Sequence, residues 1–369
     1  MRIGGGVSTW GGLGLRLAIA LVFAVVLSLF GPPHPAKAAS FDCSKAEWPL
    51  DKLICATPAL SAKDEQMAAT YKAALAILSP EGQNLVRDGQ RKWLKFVRIY
   101  CAARIGQPRD SFGGDAAVCL SREYDERLRR LVFAAKEVGP YLFSEVDDFQ
   151  IHPSAKDDIQ GSRGGFTFRI ISYPRIDSPI SATTQRWNQE SIAWVEHVKK
   201  TAEASETWRI GDLSLGVQLQ PEQVDFDLGF NIYLAQDDFI SLCRSIGLYD
   251  HFRAHDYGGY DCHNTFLSAN TELTEDQLFK AGTDWQAAIG KQAIDSAVSD
   301  NFSPDRVSFL ATLSAIPGEW SVTPDALNFS VDVGAEEGNA GHWLVPVTIP
   351  WRDLKPYLRD DLPIKLNTD

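Results

Sequence analysis

The sequence predicts two domains of different class, an all-α domain followed by an α+β domain with a mainly antiparallel sheet. The chain has 369 residues, 44% of them apolar, so it can bury more than one core. Apolar residues repeat at helical spacing as far as residue 137 and alternate in strand-like runs after it. The charge divides at the same place, because residues 41–137 carry a net +3 and residues 138–369 a net −18.

Residues 1–38 are predicted to be a secretory signal peptide. The apolar run Leu17–Phe30 follows two arginines and is too short to span a bilayer as a helix. Ala36-Lys37-Ala38 then supplies the small residues of a cleavage site. We therefore expect a periplasmic or secreted protein that is cut after Ala38 and keeps no transmembrane anchor. An uncleaved anchor is the alternative.

Residues 41–137 are predicted to form a helical hairpin bundle. One apolar stripe runs from Leu60 to Leu78 and another from Leu120 to Leu131, both at three- and four-residue spacing. Between them, Ser79-Pro80-Glu81 has the cap, the proline and the acidic residue that begin a helix. The glycines and proline of residues 106–114 predict a loop before the last helix.

Residues 138–369 are predicted to mix strands and helices. The alternation of Phe166, Phe168 and Ile170 indicates the first strand, and residues 186–200 have a helical pattern. A second helix is expected from Thr274 toward Ala297, and a short one at residues 354–358. Further strands are expected at residues 213–219, 226–233, 239–243, 265–267, 320–322, 327–333 and 343–349.

All six cysteines lie after the signal peptide, where an exported protein forms disulfides. Six cysteines can pair in many ways, and the sequence does not select one. We expect local pairs, because each pair then lies within one segment. These pairs are Cys43 with Cys55, Cys101 with Cys119, and Cys243 with Cys262.

The net charge of −12, with an isoelectric point near 5.1, disfavours a nucleic-acid partner and favours a cationic one. Removal of the signal peptide makes the mature chain −15. The charge on residues 138–369 is compatible with electrostatic steering of a basic protein. The alternative is that the acidic surface only keeps an exported protein soluble.

None of the strong catalytic or cofactor motifs is present. We expect a non-enzymatic protein without a cofactor, and a metal-dependent hydrolase is a weaker alternative. The most polar segment is Tyr249–His263, which contains three histidines and a glycine pair and reads as a solvated loop. A zinc site built on His251, His255 and His263 is a weaker interpretation. Nine tryptophans after the signal peptide could form a sugar-binding cleft, but their spacing favours core positions.

The first domain carries motifs of a known family. Phe41-Asp42-Cys43, Ile54-Cys55, Gln90-Arg91-Lys92-Trp93-Leu94, Cys101 and Cys119-Leu120 together resemble the LprI-type lysozyme-inhibitor domain. The resemblance covers about a hundred residues. It implies that this part of the chain binds lysozyme.

The second domain more weakly resembles the C-terminal domain of the RsiV anti-sigma factor, which senses lysozyme. The motifs that carry this resemblance are Ile170-Ile171-Ser172-Tyr173-Pro174, Gly258-Gly259, residues 273–279, residues 323–327 and Val347-Thr348-Ile349-Pro350-Trp351. Both resemblances imply the same ligand.

Together these observations predict an exported protein that binds a c-type or other basic lysozyme and blocks or senses it. We expect the contact at the segment Tyr249–His263, with lysozyme arginines paired to three aspartates and two tyrosines as anchors. The predicted contact residues are Asp250, Asp256, Tyr257, Tyr260 and Asp261. A module that binds peptidoglycan or another wall polysaccharide is the alternative function.

Overall fold

The computed structural model describes residues 39–106, 114–153, 166–203, 207–210, 213–218, 224–250, 256–299, 320–332 and 344–369. The predicted signal peptide, most of the predicted loop at 106–114, and His251 and His255 lie outside these residues. Of the helices within them, none has the length and apolar character needed to cross a membrane. The chain divides into two compact units after Glu65, and each is described by itself.

The first unit is closed by a disulfide. A 3-10 turn at Cys43–Lys45 precedes helix α1 (Pro49–Ala56), and the disulfide Cys43–Cys55 joins the two, which confirms the first expected pair. The Ser61 hydroxyl donates to the carbonyl of Ile54 at 2.7 Å. This hydrogen bond fixes the turn between α1 and helix α2 (Pro58–Ile77), within which the division between the units falls.

The second unit begins with two further long helices. Helix α3 (Pro80–Tyr100) is capped by Ser79, whose hydroxyl accepts from the amide of Gly82 at 3.1 Å, so the predicted helix start is confirmed. Helix α4 (Ala116–Phe133) is capped by Asp115 in the same way. The disulfide Cys101–Cys119 joins the two helices, which confirms the second expected pair.

A seven-stranded sheet forms the centre of the second unit. Its strand order is β1-β2-β3-β6-β7-β8-β9, and β3 with β6 is the parallel pair in an otherwise antiparallel sheet. This arrangement confirms the mainly antiparallel α+β class predicted for the C-terminal part. The strands are β1 (Ala135–Val138), β2 (Tyr141–Pro153), β3 (Phe166–Ser178), β6 (Val224–Gln236), β7 (Phe239–Asp250), β8 (Asp256–Phe266) and β9 (Thr271–Glu272).

Helices α3 and α4 pack on one face of this sheet. Helix α3 comes close to the sheet at two glycines that are seven residues apart. A Cβ atom on Gly82 would lie 2.3 Å from a carboxylate oxygen of Asp177, and one on Gly89 would lie 3.0 Å from Cβ of Asp147. Asp177 also accepts from the amide and hydroxyl of Ser79, at 2.7 and 2.6 Å. The sheet therefore holds the first turn of α3 directly.

Helix α5 (Ala182–Glu203) covers the opposite face and connects β3 with the later strands. Successive residues of β3 show the two faces, because Ser172 contacts Arg130 of α4 whereas Ile171 packs in a core with Val195 and Val198 of α5. In chain order, a two-stranded sheet follows α5 and precedes β6. It consists of β4 (Thr207–Ile210) and β5 (Leu213–Gln218).

The C-terminal part adds a three-stranded antiparallel sheet of β10 (Ser321–Val322), β11 (Ala326–Asp332) and β12 (Leu344–Pro350). It shares one core with helices α6 (Glu275–Leu278), α7 (Trp285–Ser299) and α8 (Trp351–Leu354). Within that core, Phe279 stacks on Trp285 with ring centroids 4.4 Å apart.

Two predicted helices differ from the structure. The helix expected from Thr274 toward Ala297 is two helices, because Phe279 leaves the helical path and forms a β-bridge with Leu358. The short helix expected at residues 354–358 instead spans Trp351–Leu354, where Pro350 pre-forms the first turn.

Candidate functional site

Within the segment Tyr249–His263, residues 249–250 and 256–263 belong to the antiparallel strands β7 and β8, together called the β7–β8 hairpin, so the interpretation as a solvated loop was wrong for these residues. Strand β7 runs to Asp250 and β8 begins at Asp256, and residues 251–255 lie outside the described part. The glycines that suggested a loop fit the ladder, since Gly258 pairs with Gly247 and Gly259 with Ile246. Glycines that face each other do not prevent two strands from pairing. The composition of the segment alone did not show that these glycines lie in strands.

The disulfide Cys243–Cys262 joins directly opposite residues of β7 and β8, which confirms the third expected pair. It fixes the antiparallel register on both sides of the bond. Arg244 therefore lies opposite Asp261, and Leu242 opposite His263.

The structure places two of the predicted contact residues, Tyr260 and Asp261, on different faces of the sheet. Tyr260 and Asp261 are consecutive in β8 and so point to opposite faces of the sheet. Tyr260 is 56% exposed, whereas the side chain of Asp261 is 17% exposed and faces Arg244 and His263. Asp250, Asp256 and Tyr257 lie at the end of the hairpin, and their side chains are not among the described ones.

Asp261 belongs to a charged network on the sheet face that α5 covers. His263 donates from Nε2 to Asp261 at 2.9 Å and from Nδ1 to Glu272 at 3.1 Å. The Arg244 guanidinium lies 3.0 Å from His263 Nε2 and 3.8 Å from Asp261, and it stacks 4.0 Å from the ring centre of Trp194 on α5. Two carboxylates thus balance the charge of two cations that lie in contact with each other.

Burial lowers the pKa of His263, but its hydrogen bonds to Asp261 and Glu272 outweigh this and raise that pKa to about 9. The ring is therefore protonated at neutral pH, and both of its nitrogens donate. Burial also lowers the pKa of Arg244 to about 10, against the attraction of Asp261 and Glu272. His263 acts here as a fixed cation that holds two strands together.

We expect stability to fall as the pH rises through the pKa of His263. The folded pKa of about 9 exceeds the ordinary 6.5, so this contribution is complete below pH 6.5 and is lost through pH 9. The ring is partly exposed, so water screens it and we expect about 1 kcal/mol or less. Urea unfolding of wild type and His263→Gln from about pH 6 to pH 10 measures it, and parallel curves would contradict the assignment.

The sequence did not indicate that Arg244, Glu272 and Trp194 belong to this network. The expected disulfide Cys243–Cys262 could have indicated one of these contacts. Two bonded cysteines that face each other on antiparallel strands place Arg244 opposite Asp261. No sequence pattern connects Glu272 or Trp194 with this network. Among the described residues, no group of three or more His, Cys, Asp or Glu side chains is arranged to hold a metal ion.

A second polar network lies between the helices and the sheet. Arg127 of α4 is 1% exposed, donates from Nε to Gln90 of α3 at 2.9 Å, and forms an ion pair with Asp147 of β2. Ser172 donates to Asp147 at 2.6 Å, and Arg130 also bonds to Ser172. Gln90 and Trp93, 8% and 1% exposed, belong to the motif that resembles the LprI domain. Both side chains contact α4, Gln90 through Arg127 and Trp93 through the ring of Tyr124.

The pKa values of two carboxyl groups in this network are shifted in opposite directions. Burial, and then the negative charge of Asp147, raises the pKa of Glu145 well above its usual range. Burial also acts to raise the pKa of Asp147, but Arg127 and Arg130 outweigh it and keep this pKa below its usual value. The surroundings thus favour the protonated form of Glu145 and the ionised form of Asp147.

The ion pairs of this network also bear on the charge difference between residues 41–137 and residues 138–369. Acidic residues of β2 and β6 pair with cations of the helices, since Lys92 lies 3.1 Å from Asp148 and Arg130 lies 3.4 Å from Asp227. Part of the negative charge of residues 138–369 is thereby neutralised inside the molecule. The outer face of α3 is basic in contrast, with exposed or half-exposed Arg87, Arg91, Lys95 and Arg98.

Comparison with known proteins gives one family. Residues 43–131 match the family model described as "Lysozyme inhibitor LprI". The comparison with curated proteins found no relative of this chain.

Two solved structures are similar to part of the chain. One is a member of the DUF3298 family from Bacteroides fragilis, 12% identical, with a TM-score of 0.36, over 61% of this chain and 96% of that one. The other is a DUF3298 family protein from Pseudomonas aeruginosa, 14% identical, with a TM-score of 0.37, over 60% of this chain and 96% of that one.

Proposed function

We propose that this protein is an exported, non-enzymatic inhibitor of a basic lysozyme and that it protects the cell wall. The observation that carries the proposal is the match of residues 43–131 to the lysozyme-inhibitor family. The acidic balance of the mature chain and its three disulfides support it, because they suit attraction of a cationic enzyme in an oxidising compartment.

Two surfaces of the LprI-matched helices are poor candidates for the contact. Gln90, Trp93 and Arg127 are buried, with Gln90 bonded to Arg127 and Arg127 paired with Asp147 of the sheet. The outer face of α3 carries several cations and would repel a basic partner. We therefore place the contact on the acidic C-terminal part.

Within that part, we place the contact at the β7–β8 hairpin, on the face that carries Tyr260. This side chain is 56% exposed although the backbone around it is held by the ladder and by the disulfide Cys243–Cys262. A large, pre-positioned aromatic is the residue type that contributes most to protein interfaces. Asp256, four residues before Tyr260 in β8, would pair with a lysozyme arginine. Asp250 lies opposite Val224 in the register of β6 and β7, on the face that α5 covers, and is left out. Asp261 is not part of the proposed contact, because its carboxylate already accepts a hydrogen bond from His263.

Tyr260→Ala tests this placement. We expect the concentration that half-inhibits a c-type lysozyme to rise about tenfold or more, because an interface anchor is lost. The measurement is lysis of a bacterial wall suspension with increasing amounts of the mature protein. Ile180→Ala is the matched control, since Ile180 is 51% exposed and lies outside the hairpin. Inhibition unchanged by Tyr260→Ala would remove the hairpin from the proposal, and no inhibition by wild type would remove the proposal itself.

A further inference from the structure

A groove of about 270 Å³ opens between α5 and strands β7, β8 and β9. Its floor is apolar and consists of Ile240 and Leu242, both almost fully buried. The indole rings of Trp187 and Trp194 line one side. The volume is near the lower limit for small-molecule sites, which is about 300 Å³, so the groove has room for one ring-sized ligand.

Arg244 supplies hydrogen-bond donors to this groove. Its side chain is 12% exposed and stacks on Trp194, which fixes the plane of the guanidinium. A guanidinium has five N–H groups. The contacts of Arg244 with His263 and Asp261 within the described residues involve Nη1, at 3.0 and 3.8 Å, so Nε and Nη2 retain their donors.

Glu190 and Asn270 supply acceptors to the same groove. Asn270 donates from Nδ2 to one carboxylate oxygen of Glu190 at 2.9 Å. Within the described residues, this bond leaves the other oxygen of Glu190 and the amide oxygen of Asn270 open to a ligand. Glu272 is engaged, because it accepts from His263, Thr265 and the amide of Asn264.

The charges around the groove nearly cancel. Arg244 and His263 face Asp261, Glu272 and Glu190, so a free anion meets carboxylates and a free cation meets a guanidinium and an imidazolium. A neutral ligand with several hydroxyl groups avoids both penalties. Its hydroxyls can accept from Arg244 and donate to Glu190 and Asn270, while an apolar ring face contacts the floor and the indoles.

We propose that this groove is a saccharide-binding site that holds one pyranose ring of an uncharged glycan. The site does not depend on lysozyme binding, and the Tyr260 face of β8 is the opposite side of the sheet. The protein would thus have two recognition surfaces, one for an enzyme that degrades wall glycan and one for a glycan.

Titration of the mature protein with the β-1,4-linked tetramer of N-acetylglucosamine tests this site. We expect a change in tryptophan fluorescence with a Kd of about 1 mM or lower. Glu190→Ala and Arg244→Met should each raise the Kd about tenfold, because each removes hydrogen bonds to the ring. Glu196→Ala, on the same helix but outside the groove and 54% exposed, should leave the Kd unchanged.

Three results would overturn the site. They are no binding by wild type, an unchanged Kd in Glu190→Ala, and displacement of the tetramer by millimolar inorganic phosphate, which would indicate an anion site on Arg244. Glu190 is exposed, so its variant is expected to fold. Inhibition of lysozyme is measured separately, and either result can fail without the other.

Discussion

Arg127→Met should lower the free energy of unfolding by about 3–5 kcal/mol, the usual cost of removing one partner of a buried ion pair. The side chain of Arg127 is 1% exposed and that of its partner Asp147 is 4% exposed. Water therefore cannot solvate the charge of the Asp147 carboxylate that remains in the variant. The hydrogen bond to Gln90 is lost in the same variant. Arg130 lies 3.9 Å from Asp147 and recovers only part of the interaction. Urea unfolding at neutral pH measures the change.

Arg91→Met on the outer face of α3 is the matched control. Its side chain is 69% exposed and pairs with exposed Asp88, so we expect a change of about 0.5 kcal/mol or less. A loss below about 1 kcal/mol in Arg127→Met would show that the buried network does not fasten the helices to the sheet. Arg127→Lys should fall between wild type and Arg127→Met, because lysine keeps the charge but not the planar donors.

The elements that the sequence predicted well have strong local signals. Ser79 and Pro80 begin α3 as expected, and the three local disulfides are present. Strand β2 had no such signal. Its buried positions include Glu145 and Asp147, which a hydrophobic pattern counts as surface residues. Only the arginines of α4, distant in sequence, explain why these acidic residues lie inside.

The arrangement of the candidate site could not be predicted from the sequence. The sequence directed attention to Tyr249–His263, and that segment does hold the exposed Tyr260. It could not show that alternation along β8 separates Tyr260 from Asp261, because its glycines and aromatics indicated a loop. The groove could not be predicted from the sequence. Residues of α5, β7 and β9 line it, and they are as far apart in the chain as Glu190 and Glu272.

The proposed domain boundary near residue 138 remains a prediction. Helices α3 and α4 lie before it and pack on strands that lie after it, with paired charges between them. Because several acidic residues are neutralised there, the attraction for a basic protein must come from the carboxylates that remain on the surface. The acidity still favours lysozyme as a partner, but by less than the net −18 of residues 138–369 indicates.

Direct binding of lysozyme is the central claim, and size-exclusion chromatography of the mature protein with a c-type lysozyme tests it. Charges interact over about 30 Å at an ionic strength of about 0.01 M and over about 3 Å at 1 M. Attraction between an acidic protein and a basic enzyme should therefore give co-elution at the lower salt concentration and much less at the higher one. Separate elution of the two proteins at low salt would contradict the claim.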